Sequence, residues 1–454
     1  MNNNNWIKDA IFYHIYPLGM LYALYKNDYK ADPIPRLKKI NDWIYHFKDL
    51  NINALYLGPL FESEYHGYET VDYNFVDRRL GGNEDLKELI CNLHKHDIKV
   101  ILDGVFNHCG RDFWAFKDLL LNKNNSPYKA WFHNVDFANN NVFNDGFSYT
   151  GWNNHLNLVK FNHNNNDLKE YLFNAVENWI KYFNIDGLRL DAADCIDIDF
   201  LSGLSRHCKN IKNDFWIMGE VIHGDYNKWA NRETLDSVTN YECYKGLYSS
   251  HNDNNYFEIA YSLKRQFGVN GIYKNLTLYN FADNHDVDRI SSTLKNQLHL
   301  YPLYILLYTM PGIPSIYYGS EIGMKGRRGI NSDDELRPAL SFDDLKNKGS
   351  INLNLLEIIK KLGIIRNDFP ALKNGNYEEL LVSHNHYLFK RTLENQKVIV
   401  AVNSQENNVD IELSNISDGK VLIDIFNNNE KFNIQDGKAK INLYPNWGRI
   451  MLLE

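Results

Sequence analysis

Asp186-Gly187-Leu188-Arg189-Leu190-Asp191 reads as a short buried strand. Leu188 and Leu190 alternate with Arg189 and Asp191, and a period of two sets the cation and the carboxylate on one face. In a chain patterned repeatedly as strand then helix, such a face belongs at the carboxyl end of a parallel barrel strand, where chemistry from different strands converges. The pair alone is equally compatible with a structural ion pair, so the flanking sequence has to decide.

Upstream, Leu168, Leu172, Val176, Trp179, Ile180 and Phe183 recur at three- and four-residue spacing and predict the helix that delivers this strand. Earlier, apolar runs at 11–17, 54–59 and 100–105 predict strands one to three. They are separated by helical stripes, one formed by Ile34, Leu37, Ile40, Ile44, Phe47 and Leu50 and one by Leu86, Leu89, Ile90 and Leu93. Downstream, 215–220, 237–240, 278–283 and 315–319 supply strands five to eight. The fold class expected is α/β, a (β/α)8 TIM barrel. Between strand three and its helix, 108–163 has no sustained period and is rich in Asn, aromatics and Gly, which predicts a small, loop-rich inserted domain. After a last helix around 355–365, short runs at 386–390, 397–402 and 420–424 are separated by Asn, Asp and Gly turns and predict a C-terminal antiparallel β-sandwich domain. The expected division is 1–107 with 164–372 for the barrel, 108–163 for the insertion and 373–454 for the sandwich.

The net charge of −8 over 454 residues offers no basic field, which argues against nucleic acid and anionic lipid as partners. Five cysteines, odd in number and without C-x-x-C spacing, indicate neither a disulfide framework nor a zinc site. The apolar stretch 301–318 is broken by Pro302, Pro311, Gly312 and Pro314, which suits a helix and a buried strand better than a membrane span. The amino terminus, Met1-Asn2-Asn3-Asn4-Asn5-Trp6, shows no basic and apolar leader, so the expected location is cytoplasmic.

Three acidic residues fall at the ends of different predicted strands: Asp191, Glu220 and Asp286. Glu220 follows Asp191 by 29 residues, one strand–helix unit, and Asp286 follows Glu220 by 66, two units. Two carboxyls about 5 Å apart suit retaining glycoside cleavage, one as nucleophile and one as acid and then base.

On four segments the chain resembles the α-amylase family of glycoside hydrolases, family 13. These are Asp103-Gly104-Val105-Phe106-Asn107-His108, Gly187-Leu188-Arg189-Leu190-Asp191-Ala192-Ala193, Gly219-Glu220-Val221-Ile222-His223 and Phe281-Ala282-Asp283-Asn284-His285-Asp286. The resemblance implies that Asp191 is the nucleophile, Glu220 the general acid/base and Asp286 the transition-state stabiliser. It implies that Arg189 holds the nucleophile ionised and that His108 and His285 hydrogen-bond the sugar. Tyr68, in His66-Gly67-Tyr68, would stack on the same ring, and Asp333 and Arg337 would grip it.

Many relatives bind calcium through the counterpart of Asn107. One candidate ligand does not make up the six to eight oxygens calcium takes, so no cofactor is expected to be required. Ser320 stands where the family often has Asp. Leu158-Val159-Lys160-Phe161-Asn162 resembles a segment of neopullulanases and cyclomaltodextrinases. Those relatives usually carry an extra N-terminal domain that supports dimers, which is not expected here because the first strand starts almost at the terminus. The resemblance implies hydrolysis of α-1,4 bonds in α-glucan oligosaccharides. The alternatives are an α-glucan transglycosylase or a catalytically inactive glycan-binding relative.

Overall fold

A computed structural model describes residues 5–330, 332–347, 352–416 and 419–454. Met1 to Asn4, on which the reading of the amino terminus partly rests, lie outside the described residues. The barrel strands are β1 Phe12–Ile15, β2 Ala54–Leu57, β3 Lys99–Gly104, β4 Gly187–Leu190, β5 Trp216–Gly219, β6 Ser237–Val238, β7 Tyr279–Phe281 and β8 Ile313–Tyr317. They pair in parallel in the order β7-β8-β1-β2-β3-β4-β5-β6, and a parallel bridge from Thr239 to Tyr279 joins the two edges. β1, β2, β4, β5, β6 and β7 are shorter than their apolar runs, which continue into the adjoining loops, whereas β3 and β8 match theirs in length and begin one and two residues earlier.

Every residue of β1, β2, β4 and β5 is buried, as expected when helices cover the outside and side chains fill the inside. The two faces separate by parity. Phe12, Ala54, Tyr56, Ile101, Trp216, Met218, Tyr279 and Phe281 fill the interior, while Ile11, Leu55, Val100, Leu102, Leu188 and Ile217 pack outward against the helices. Following the inward phase toward the carboxyl ends leads from Ile101 to Asp103, from Gly187 to Arg189 and Asp191, and from Met218 to Glu220. The interior is apolar below and charged at the top, which is why the site sits there. Gly187 is required at the bottom of β4: a Cβ would lie 2.4 Å from the Trp216 carbonyl oxygen.

The helix predicted from Ile34 to Leu50 is a 3₁₀ segment, Arg36–Trp43, followed by an α-helix, Ile44–Asp49, with Ile34 outside it and exposed. Its buried residues Leu37, Ile40 and Trp43 recur every third position, the repeat of the tighter helix. The helix Asn166–Asn178 continues into a π-helical turn, Trp179–Phe183, that buries Trp179, Ile180 and Phe183 before β4. The insertion is more ordered than its sequence suggests. It holds the helix Trp114–Asn122 and a three-stranded antiparallel sheet, in which His155–Lys160 lies between His108–Gly110 and Gly151–Trp152. The apolar stretch around 301–318 is the helix Leu300–Thr309 and β8. Among the described residues, no helix is long and apolar enough to cross a membrane.

The C-terminal domain packs a six-stranded antiparallel sheet, beginning at Asn376, on the pair Val409–Leu413 and Ala439–Leu443. Leu388, Ile399, Ile411, Leu422, Ile441 and Leu443 fill its core. It is tied to the barrel where Arg391 Nη1 donates to the Thr309 carbonyl at 2.6 Å, satisfying an otherwise unpaired carbonyl at a helix end. Within the domain, Arg449 Nη1 and Asp424 Oδ2 are 2.7 Å apart and both side chains are fully buried. Arg449→Met is expected to destabilise the fold by about 3–5 kcal/mol, because it leaves the Asp424 carboxylate buried without its cation. Equilibrium urea unfolding checks this, and an unchanged midpoint would contradict it.

Candidate active site

Arg189 is the hub. Its Nη1 donates to Asp103 Oδ1 and Oδ2 at 3.0 and 3.1 Å and to Asp191 Oδ1 at 3.0 Å, and its Nη2 lies 2.8 Å from Glu220 Oε2. The parallel register produces this arrangement: Arg189 sits beside Asp103 on one side and Met218 on the other, with Asp191 and Glu220 two residues further along their strands. Glu220 Oε2 also accepts the Ala192 N–H at 3.1 Å, and the Tyr241 hydroxyl lies 3.4 Å from Glu220 Oε1. Ala192 presents that N–H from a left-handed conformation, φ 43°, which a side chain rarely adopts and which costs of order 1–3 kcal/mol.

Burial pushes the Asp191 carboxyl well above the ordinary carboxylate range; Arg189 opposes this, and the charges of Glu220 and Asp103 add to it. Burial likewise raises Glu220, against Arg189 and with Asp286. A single guanidinium is shared among three carboxyls, so its pull on Asp191 and Glu220 is opposed by burial and by their neighbours' charges, and the two groups titrate as an interacting pair.

Asp286 is the opposite case. Burial would raise it, but His285 Nε2 at 2.9 Å from Oδ2 and Arg337 Nη2 at 2.9 Å from Oδ1 outweigh burial and hold it below the ordinary range. Arg337 also donates Nε–H to the His285 carbonyl at 3.0 Å and pairs with Asp333 at 3.1 Å. Asp333 is shared with Arg328 Nε at 3.0 Å. The Tyr68 ring, expected to be free for a sugar, stacks one face on His285 with centroids 5.6 Å apart, and its hydroxyl bonds His285 Nε2 and Asp103.

His108 is pushed down to about 3 by burial and is therefore neutral. Its Nδ1 lies 3.1 Å from Asn107 Nδ2, and its Nε2 is buried without a hydrogen-bond partner. Asn107 Oδ1 is also buried without a partner. One amide oxygen falls short of a calcium shell, and among the described residues no three His, Cys, Asp or Glu side chains cluster as metal ligands. No step below passes through a metal ion.

All nine residues named from the sequence as catalytic or sugar-binding are drawn together. Tyr68, His108, Asp191, Glu220, Asp286, Asp333 and Arg337 line a cleft of about 850 Å3, with Arg189 and His285 immediately behind. Asp103 opens the first of the four family segments, yet the sequence assigns it no role. Its inward phase on β3, two residues after Ile101, is the signal that would have found it. Tyr56 donates to Asp103 at 2.8 Å, and Trp152, from the insertion, stacks against His108 with centroids 5.6 Å apart; neither is legible without the tertiary contacts. The role of Ser320 is structural, since its hydroxyl lies 2.9 and 2.8 Å from the two carboxyl oxygens of buried Asp283.

Residues 26–368 match the family described as alpha amylase, catalytic domain, and residues 375–451 match the alpha-amylase C-terminal domain. The cyclomaltodextrinase of Geobacillus thermopakistaniensis (strain MAS1) is 30% identical, over 97% of this chain and 76% of that protein. The intracellular maltogenic amylase of Bacillus subtilis (strain 168) is 28% identical, over 92% of this chain and 73% of that protein. The native Nostoc punctiforme debranching enzyme superposes with a TM-score of 0.83 at 28% identity, covering 98% of both chains.

Proposed function

Because this chain belongs to the α-amylase family of glycoside hydrolases, we propose that it cleaves α-1,4-glucosidic bonds in maltooligosaccharides and related small α-glucans with retention at the anomeric carbon. That it is an α-glucan hydrolase follows from the family; linkage, chain length and stereochemistry are the proposal. The observation that carries it is the Arg189 hub, which anchors Asp191 and Glu220 to the two ends of one guanidinium. A short carboxyl separation is what double displacement requires.

In the first step an ionised Asp191 oxygen forms a bond to the anomeric carbon as the bond to the glycosidic oxygen breaks. Glu220 gives its proton to that oxygen, which leaves as a sugar hydroxyl. In the second step the Glu220 carboxylate takes a proton from water, whose oxygen attacks the anomeric carbon while the ester to Asp191 breaks. Both carboxyls return to their starting states. Positive charge developing on the sugar faces Asp286, kept ionised by His285 and Arg337. His108, on the cleft wall, hydrogen-bonds a sugar hydroxyl.

The reaction needs no metal under this reading. Action inside the cell is supported by five cysteines with no disulfide among them and by the relative named as intracellular. The test is a time course on maltotriose, cyclodextrin and pullulan, following product length and anomer together, with and without EDTA. The α-anomer is expected first, at a rate the chelator does not change. A β-anomer as first product would overturn retention, products longer than the substrate would replace hydrolysis by transfer, and loss of activity in EDTA would overturn metal independence.

A further inference from the structure

At the end of the barrel opposite the catalytic cleft, where the strands begin, there is a pocket of about 250 Å3. Leu276 and Thr277, just before β7, and Pro311 and Gly312, just before β8, line it from the barrel. Asn376 and Tyr377, the first residues of the C-terminal sheet, line it from the other domain. Lys8, Lys274, Lys373 and Arg391 complete a cationic lining that contains no Asp or Glu. In a chain of net charge −8 this is a local reversal of sign.

The positive charge continues inward. Arg391 and Arg366 are each 1% exposed. Besides its bond to the Thr309 carbonyl, Arg391 donates Nε–H and Nη2–H to the Gly375 carbonyl at 3.2 and 2.9 Å. These bonds use three of the five N–H groups a guanidinium carries. Arg366 donates to the carbonyls of Tyr308, Leu372 and Gly312 at 2.6, 3.2 and 2.6 Å, and its Nε is buried without a partner. Every one of these acceptors is a neutral carbonyl. A helix end such as the one at Tyr308 and Thr309 offers roughly half a negative charge, against two full positive ones. Burial pulls Arg366 down to about 10, and burial with the charge of Arg366 pulls Arg391 down to about 9. Asp9, the carboxylate whose charge acts on Arg366, is shared with Lys373 at 2.7 Å and is half exposed. Buried cations are ordinarily matched by an anion, and the lining of this pocket supplies none.

We propose that the pocket binds a phosphate group, either inorganic phosphate or the phosphoryl end of a small phosphate monoester, between Lys8, Lys274, Lys373 and Arg391. A guanidinium presents its N–H groups in a planar fork that matches phosphate oxygens, and the three ammonium groups add charge without fixing orientation. The volume lies below the roughly 300–1,000 Å3 of sites for drug-sized ligands, which restricts the occupant to a small anion. Bound there, the anion joins Lys8 and Lys274 of the barrel to Arg391 of the C-terminal sheet and stabilises the junction of the two domains. This site is separate from the reaction proposed above and does not rest on it.

The test is isothermal titration calorimetry of the full chain with inorganic phosphate and, separately, glycerol 3-phosphate, at an ionic strength held constant with chloride. Saturable binding with a Kd of about 1 mM or tighter is expected. The double variant Lys8→Gln/Lys274→Gln, whose side chains are exposed, is expected to weaken it about tenfold or more with the fold intact. Phosphate strengthens apolar burial in any protein, so the companion measurement is the rise in thermal midpoint that wild type shows and the double variant lacks. Tighter binding of glycerol 3-phosphate identifies a monoester as the ligand, and equal or weaker binding identifies the free anion. Absence of saturable binding for both, or a Kd unchanged in the double variant, overturns the site.

Discussion

Asp191→Asn is expected to lower kcat on maltooligosaccharides by about 10⁴- to 10⁶-fold, the scale seen when a covalent nucleophile is removed from an otherwise intact site. The amide keeps an oxygen for the Arg189 Nη1–H that Asp191 Oδ1 now accepts at 3.0 Å, so the loss is expected without unfolding. Removing one of three carboxylates from a single guanidinium relieves buried like-charge repulsion, so the variant's unfolding midpoint should equal or exceed that of wild type. The measurement is kcat on maltotriose together with urea unfolding. Turnover within about tenfold of wild type would remove Asp191 from the nucleophile's role.

Glu220→Gln is the second large effect. Loss of the proton donor is expected to cost about 10²- to 10⁴-fold on maltooligosaccharides, and much less on an α-glucosyl fluoride, whose leaving group needs little protonation. The pH dependence follows from the direction of the shift. Burial raises the Glu220 carboxyl above its ordinary value. Its protonated form is the active one, so wild-type kcat/KM falls as pH rises through that raised pKa, and the alkaline limb should lie above the usual carboxylate range. In Glu220→Gln that limb should disappear. A variant that keeps the wild-type alkaline limb would assign the titration to another group.

The barrel was legible because it repeats. Eight apolar runs with helical stripes between them leave few alternatives, and the parity of Arg189 and Asp191 on β4 puts both in the interior phase once that strand is placed. The helix over 34–50 was legible in place but not in type: Leu37, Ile40 and Trp43 recur every third residue, yet Ile44 and Phe47 extend the stripe and conceal the change from 3₁₀ to α. The insertion was least legible, because the strands His108–Gly110 and His155–Lys160 pair across about fifty residues and carry no local period to announce it.

The site divides the same way. Asp191, Glu220 and Asp286 could be named because each ends a recognisable strand or motif, and His108, His285, Asp333 and Arg337 because short patterns carry them. How they share charge could not be read. Arg189 bridges Asp103, Asp191 and Glu220 only because β3, β4 and β5 lie side by side in parallel register, and that register fixes which carboxyls share the cation.

Alone, then, the sequence determined the chain's class, its strand order and the chemical type of its reacting groups, because periodicity and short motifs are local. The tertiary structure decided how burial and Arg189 act on the carboxyl pair, the partners of His285 and Tyr68, and the shape of the cleft. Charge, burial and cavity geometry are sums over neighbours that only the closed barrel and its loops bring together.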